Sequence, residues 1–387
     1  MKIWFLTRSL YPYQKTGGGQ IRLGQIQFLK ELKYEIKVIL PNYNSNKLNI
    51  NKNIIQIPLD YNIRFASYLE RIGFYEDYFD KWINNSFDYL KDKIKKEDIV
   101  FATSGGELGM IKLGSLLKDE INCKFVVNFH DPIAYSLVHG LRLNKKFHIS
   151  REKQEEKYLK NSNLILTSSE SNQSSLQNKY PKWKDKIKNN YFGYIKQINL
   201  NKYSKTLSNK LRIAYVGNMG ELQQPEILYE VYQKNSDNIE IYFIGDISNY
   251  KPLQNIENIN IKFINYMPHD EFLKFMIENV DIGFVSLANE YLGVCVPSKI
   301  YEYINLGLPM IGALPNGDGK YIINNKNYGM AYRYDDTDGL AKAVKKFQDK
   351  EFLDNIKNNI LKDRNKWDMK EKMQEVDSLL KGICCIN

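Results

Sequence analysis

The chain reads as an α/β protein made of two doubly wound domains. Three observations carry that reading. At roughly 150 residues per domain, 387 residues make about two domains. Short apolar runs alternate with segments of helical length. A strand, a glycine turn and a helix open the chain, and the pattern starts again past residue 210 without a sequence repeat.

The elements follow in order. Lys2 to Leu6 is a short apolar run that reads as a buried strand. A glycine-rich turn, Thr16-Gly17-Gly18-Gly19, leads into a helix with Leu23, Ile26, Leu29 and Leu32 at helical spacing. Glu35 to Leu40 reads as the next strand, which completes a right-handed βαβ unit. Further strands are predicted at 98–102, 123–129 and 164–168. A polar stretch at 199–210 reads as a linker. Strands then recur at 211–216, 239–244, 259–264, 281–287, 308–312 and 329–332. Leu340, Val344 and Phe347 mark a late helix. The predicted organisation is a first domain over 1–200, a second over 201–368, and a terminal helix over 369–387 crossing back to the first.

Composition removes several classes. Hydrophobic residues at 43% and charged residues at 26% describe a globular chain. Four cysteines, none in a C-x-x-C pair, support neither a disulfide scaffold nor a zinc site. No apolar run reaches the roughly 18 residues of a membrane span. Thr7 and Arg8 arrive too early for a signal-peptide core, so a cytoplasmic protein is expected. The net charge of +10 suits nucleic acid, an anionic membrane or phosphorylated small molecules, but no nucleic-acid motif or basic stripe is present. Lys299 is the cation placed against a phosphate, with Arg8, Lys15 or Arg22, near the first glycine turn, as further candidates.

Tyr61, Phe65, Tyr68, Ile72, Tyr75, Phe79 and Trp82 alternate spacings of four and three, an aromatic stripe interrupted by Gly73. It reads as one or two helices packed on the first domain. The other readings are a surface for a lipid-linked acceptor or the bilayer interface, and a dimer seam. On the acceptor reading Tyr61, Phe65, Tyr68 and Tyr75 are the contact candidates.

Four segments could carry chemistry. Gly17, Gly18 and Gly19 suit close backbone approach to a phosphate, or make a flexible loop. Gly217, Asn218 and Gly220 allow a tight turn aiming a helix N-terminus at an anion, with Pro225 in that helix's first turn; an ordinary connection is the other reading. His130, in Asn128-Phe129-His130-Asp131-Pro132, ends an apolar strand at the carboxyl edge of the sheet, where ligands of parallel sheets bind. A structural histidine is the alternative. Pro297-Ser298-Lys299-Ile300-Tyr301-Glu302-Tyr303 begins a helix that Gly307 caps. Lys299 in a first turn opposes the helix dipole, so an anionic ligand explains it better than a solvent-facing pair with Glu302. Lys299 would then meet a diphosphate and Glu302 a ribose. Asp336-Thr337-Asp338 mimics a metal-binding D-x-D but sits where Asp and Thr cap helices.

Taken together, the glycine loop, His130-Asp131-Pro132, Gly217-Asn218-Met219-Gly220 and the 297–309 segment resemble the GT-B glycosyltransferases of family 4, over nearly the whole chain. The resemblance implies two facing Rossmann-like domains with a nucleotide-sugar donor in the interdomain cleft. It implies a retaining transfer without bound metal or cofactor, onto a glycan, lipid-linked or protein acceptor. By the same resemblance His130 lies near the reacting sugar and Glu302 holds the donor ribose. Lys299 takes the diphosphate, with Pro297, Ser298 and Tyr301 in the donor site. Two departures stand out. The family's first glutamate falls at Val294, and its Arg and Lys pair is missing from 217–224. A non-catalytic sugar-nucleotide-binding subunit and a sugar-nucleotide epimerase are the competing classes. The epimerase needs a pair of acid–base carboxylates that the sequence does not present.

Overall fold

The computed structural model describes every residue except 15–16, 46, 134–144, 236 and 386–387, and only the backbone of 145–149. The chain divides into two compact units: Met1–Phe192 together with the residues from Met369 on, and Gly193–Asp368.

The first unit runs β1 (Lys2–Leu6), α1 (Gly17–Glu31), β2 (Glu35–Asn42), β3 (Asn49–Asn51), β4 (Ile54–Pro58), α2 (Ile63–Arg71), α3 (Asp80–Leu90), β5 (Ile99–Gly105), α4 (Gly109–Ile121), β6 (Lys124–Asp131), α5 (Lys145–Leu159), β7 (Leu164–Thr167), α6 (Glu170–Lys179) and β8 (Ile187–Asn189). Its strand order is β3-β4-β2-β1-β5-β6-β7-β8, parallel except for the β3–β4 pair. Every residue of β5 is buried, as expected of a central strand covered on both faces. Three strands were not legible in the sequence. β3 and β8 are too short to show a period, and β4 ends on a proline.

The second unit runs β9 (Leu211–Val216), α7 (Ile227–Lys234), β10 (Ile239–Ile244), α8 (Lys251–Gln254), β11 (Ile261–Ile264), α9 (His269–Asn279), β12 (Ile282–Ser286), α10 (Ser298–Leu306), β13 (Met310–Ala313), α11 (Asp318–Asn325), β14 (Gly329–Tyr332), α12 (Thr337–Phe347) and α13 (Lys350–Asp363). Its sheet is wholly parallel, in the order β11-β10-β9-β12-β13-β14. Each of the six lies on or within a residue or two of a predicted strand. The polar 199–210 segment is strapped down by hydrogen bonds and an ion pair: Thr206 Oγ1 donates to Glu278 O, and Lys205 pairs with Asp281. The last helix, α14 (Met369–Cys385), packs on α1 of the first unit, where Tyr34 Oη donates to Asp377 Oδ1 at 2.7 Å.

The aromatic stripe resolves into two helices, one of the forms expected of it, and two other expectations need correction. Gly73 takes φ +84° between α2 and α3, so the chain turns. Phe79 and Trp82 enter the core, Tyr61 and Tyr75 are half-buried, and Phe65 and Tyr68 stay 60% and 57% exposed. Gly17, Gly18 and Gly19 are not a loop but the first turn of α1. The Gly217 turn does not open directly into a helix, since a loop from Gly217 to Glu226 precedes α7 and Pro225 lies in it. Asp336 is the N-cap of α12, its carboxylate accepting from Gly339 N at 2.8 Å, while Asp338 pairs with Lys234.

Candidate functional site

In the second unit the candidate site forms at the carboxyl edge of the parallel sheet, where β9 and β12 give way to loops. Gly217 follows β9 at φ +106°, a conformation costly for a residue with a Cβ, and its N–H donates to Ile244 O at 2.9 Å. Pro297 caps α10, and Gly307 ends it at φ +64°. Lys299, in the first turn of α10, reaches back over Tyr215 of β9, with Nζ 3.7 Å from the ring centroid. A Cβ at Gly217 would stand 3.9 Å from that Nζ.

Lys299 as a residue is half-buried, but its Nζ is shut from solvent and has no hydrogen-bond partner among the described residues. Burial pulls its pKa down from 10.5 to about 7. One turn on, Glu302 Oε1 is likewise enclosed and unpartnered, and burial raises that carboxyl from 4.5 to about 7. Burial is the whole cause of each shift, so the two do not form the solvent-facing pair that their spacing allows. Each is an unmet polar group beside a glycine turn, the setting in which an anion and a set of hydroxyls would be bound.

The neighbouring candidates divide. Ser298 and Asn218 are exposed beside this pair, and Gly220 is half-buried. Tyr301 is a correction: it is buried and packs on Trp367, 5.8 Å between centroids, so it belongs to the core. Tyr303 fills the space over Gly283, where any Cβ would collide with its ring. Glu290 pairs outward with Arg333 at 3.4 Å. Asn305 was not anticipated. Its side chain bonds Lys196 O and Ile198 N, ties made across more than a hundred positions that no local signal reveals.

In the first unit His130 ends β6 and is 6% exposed. Its Nε2 lies 3.2 Å from Gln25 Oε1 on α1, and its ring lies against Phe192. With Nε2–H donating to Gln25, Nδ1 is a bare acceptor, and it has no partner among the described residues. Burial, then Arg22 and Arg8, holds the His130 pKa well below 6.5. The imidazole is therefore neutral, which suits positioning a hydroxyl and not stabilising an anion as a cation.

His130 opens onto a pocket of about 670 Å³ that Arg8, Arg22, Arg64 and Arg71 also line. Gly105 lets two of these converge: a Cβ there would stand 3.0 and 3.1 Å from Arg8 and Arg22 nitrogens. Arg8 pairs with buried Glu107 at 3.3 Å. Asn62 caps α2 by accepting from Arg64 N and Phe65 N. Glu70 anchors the helix to α5 by accepting from Arg151 at 2.6 Å. Tyr68 lines the pocket. Tyr61 instead turns to Tyr78 O, and Phe65 stacks on Tyr68 at the surface. Lys15 lies outside the described residues.

No protein-family model matches the sequence, and no curated protein matches it. Solved structures do match in fold. Sucrose-phosphate synthase from Thermosynechococcus elongatus superposes with a TM-score of 0.71 at 12% identity, over the whole of both chains. HepE from Anabaena, in complex with UDP and glucose, gives 0.68 at 13%, covering 99% of this chain and 100% of its own. The apo lipopolysaccharide outer core galactosyltransferase WaaB gives 0.69 at 14%, covering 99% of each. The likeness is one of fold: the chain has the GT-B fold, with a Rossmann-like sheet in each unit. Among the described residues no helix is long and apolar enough to cross a membrane.

The two unmet groups make ligand-free stability depend on pH. Between about pH 4.5 and 7 folded Glu302 holds a proton that the unfolded chain loses, so stability falls as pH rises. From about 7 to 10.5 folded Lys299 lacks a proton that the unfolded chain keeps, so stability rises. A shallow minimum near pH 7 is expected in urea titrations of the ligand-free protein. Glu302→Gln should flatten the acid limb and Lys299→Met the alkaline limb.

Proposed function

We propose that this protein is a glycosyltransferase that moves a hexose from a nucleotide diphosphate sugar to an acceptor hydroxyl, with retention at the anomeric carbon. The observation that carries the reading is the enclosed, unpartnered Lys299 Nζ at the start of α10, together with the equally unmet Glu302 one turn on. HepE, of the same fold, is solved with UDP-glucose, a ligand with the two features these groups lack: a diphosphate and a ribose. In this reading Lys299 and the backbone N–H groups of Ser298 and Lys299 at the start of α10 stabilise the charge that grows on the diphosphate as the sugar–phosphate bond breaks. Glu302 accepts hydrogen bonds from the ribose hydroxyls. The acceptor hydroxyl forms the new bond to the anomeric carbon and gives up its proton. His130 Nδ1 accepts a hydrogen bond from a sugar hydroxyl and holds the sugar in place.

The first unit, with Tyr68 beside His130, takes the acceptor, a glycan or a lipid- or protein-linked chain. The exposed Phe65 and Phe74 fit a first unit resting against a membrane surface. Val294 and the missing basic pair at 217–224 leave Lys299 to carry the diphosphate charge. A thermal-shift screen over nucleotide sugars is the direct test, because a true donor raises the melting temperature by mass action. One nucleotide sugar should stabilise the protein strongly. His130→Ala should bind it only a few-fold more weakly, about the worth of one hydrogen bond, yet turn over about 10- to 100-fold more slowly. A screen without any stabilising nucleotide sugar would sink the proposal.

A further inference from the structure

The first unit's pocket gathers more positive charge than a neutral sugar needs. Arg8, Arg22, Arg64 and Arg71 line it, and among the described residues Asp131 is the one carboxylate lining it. Arg22 is the informative one. It is 2% exposed, and its guanidinium bonds only neutral oxygens, Ser9 Oγ at 2.7 Å and Thr103 Oγ1 at 3.2 Å. It makes no ion pair among the described residues. Glu107 and Asp131 lend Arg22 countercharge through space, but neither pairs with it directly, and one Glu107 oxygen is engaged by Arg8 and by Gly105 N. Burial and neighbouring Arg8 still outweigh the carboxylates near it and pull the Arg22 pKa down, so an anionic ligand would relieve an enclosed guanidinium without a direct ion pair.

The opposite wall is built to a similar end. Arg64, Tyr68 and Arg71 are four and three residues apart, so they share one face of α2, and all three line the pocket. That helix is held by its Asn62 cap and by buried Glu70 against Arg151, so the two arginines stand on an anchored element. Two pairs of guanidinium groups thus converge from two walls on a space of about 670 Å³, enough for a sugar with a phosphate or two. Arginine's planar fork matches phosphoryl oxygens bidentately, and several arginines exceed what one carboxylate requires.

We infer that this pocket binds the phosphoryl group of an anionic acceptor, a phosphate monoester or diphosphate. The inference deepens the glycosyltransferase reading and rests on it for the word acceptor. The phosphoryl group has two sources, a soluble sugar phosphate or a lipid-linked sugar phosphate. Phe65, Ile72 and Phe74, exposed on and just past α2, would border a lipid tail.

The test uses the full-length chain carrying Lys299→Met, which removes the cation proposed for the donor diphosphate while leaving the first unit intact. Calorimetry then compares glucose 6-phosphate with glucose, and farnesyl phosphate with farnesol. The phosphorylated member of at least one pair should bind tenfold or more tightly than its neutral partner. Adding Arg64→Gln should erase about tenfold of that preference, one lost charge-assisted contact. Arg22→Lys, which keeps a cation in the same wall, should weaken binding less than Arg64→Gln combined with Arg71→Gln. Preference in the first pair alone points to a soluble source, and in the second alone to a lipid-linked one. Preference in both means that the phosphoryl group itself is read. Equal binding of phosphorylated and neutral members in both pairs overturns the inference, as does a preference that survives Arg64→Gln and Arg71→Gln together. Neither outcome touches the donor reading, which depends on nucleotide-sugar binding to the chain with Lys299 in place.

Discussion

Lys299→Met is expected to lower kcat/KM by about 100- to 1000-fold, the usual cost of removing one group that meets charge developing in the transition state. The same substitution should stabilise the ligand-free protein by about 1 kcal/mol, because it replaces an enclosed, unpartnered ammonium with a side chain of similar length and no charge. Gain of stability with loss of turnover marks a residue kept for chemistry and not for folding. A second signature follows from its lowered pKa. Above about pH 8 Lys299 is mostly neutral in the free protein. A bound diphosphate restores its proton, so donor binding should take up close to one proton. Calorimetry in buffers of different ionisation enthalpy reads this directly, and the methionine variant should show no such uptake. Wild-type turnover in Lys299→Met would remove this residue from the mechanism.

Asp77→Ala is expected to cost about 3–4 kcal/mol of folding stability, the largest loss we anticipate from a single polar truncation here. Asp77 is fully buried, between α2 and α3. Its two carboxylate oxygens accept from Phe79 N and Leu108 N, each at 2.9 Å, and Arg151 lies 3.6 Å away. Alanine would strand two buried N–H donors and leave Arg151 short of countercharge. Burial raises the Asp77 pKa, while Arg151 and the two N–H groups oppose that rise. Urea denaturation measures the loss. Asp77→Asn should lose less, since one amide oxygen can keep one acceptor contact. A neutral Asp77→Ala would mean that the cluster is not what fixes α2. Because Glu70 shares Arg151, loosening the cluster should also blunt the arginine pocket on α2's outer face.

Much of the fold was legible in sequence, and for a physical reason. Parallel strands buried on both faces read as mainly apolar runs, which is how β1, β2, β5, β6, β9 and β10 announced themselves, even with Lys37, Arg212 and Glu240 inside β2, β9 and β10. Glycine and proline marked the helix boundaries at Pro297 and Gly307 because those positions need particular backbone angles. The aromatic stripe left one helix or two open, because its period persists through Gly73 although the helix does not. Periodicity shows which residues would share a face if a helix continued, and says nothing of whether it does. Tyr301 misled. Its place in a ligand-binding segment says little about a side chain that turns to Trp367.

The sequence by itself determined the alternation of strands and helices, the two-domain count, and the residue types at the start of α10 and the end of β6. Those follow from local preference and from the spacing of apolar residues. Only the tertiary structure decided which charges are unmet. Arg22 meets Thr103 from 81 positions away, and Arg8 meets Gly105 from 97. Lys299 reaches Tyr215 across three intervening strands of sequence. Burial and the lack of a counter-ion are properties of what surrounds a side chain in space, and the surroundings come from distant parts of the chain. That is why a mild +10 spread along the sequence becomes, in the folded protein, one enclosed lysine and one arginine-lined pocket.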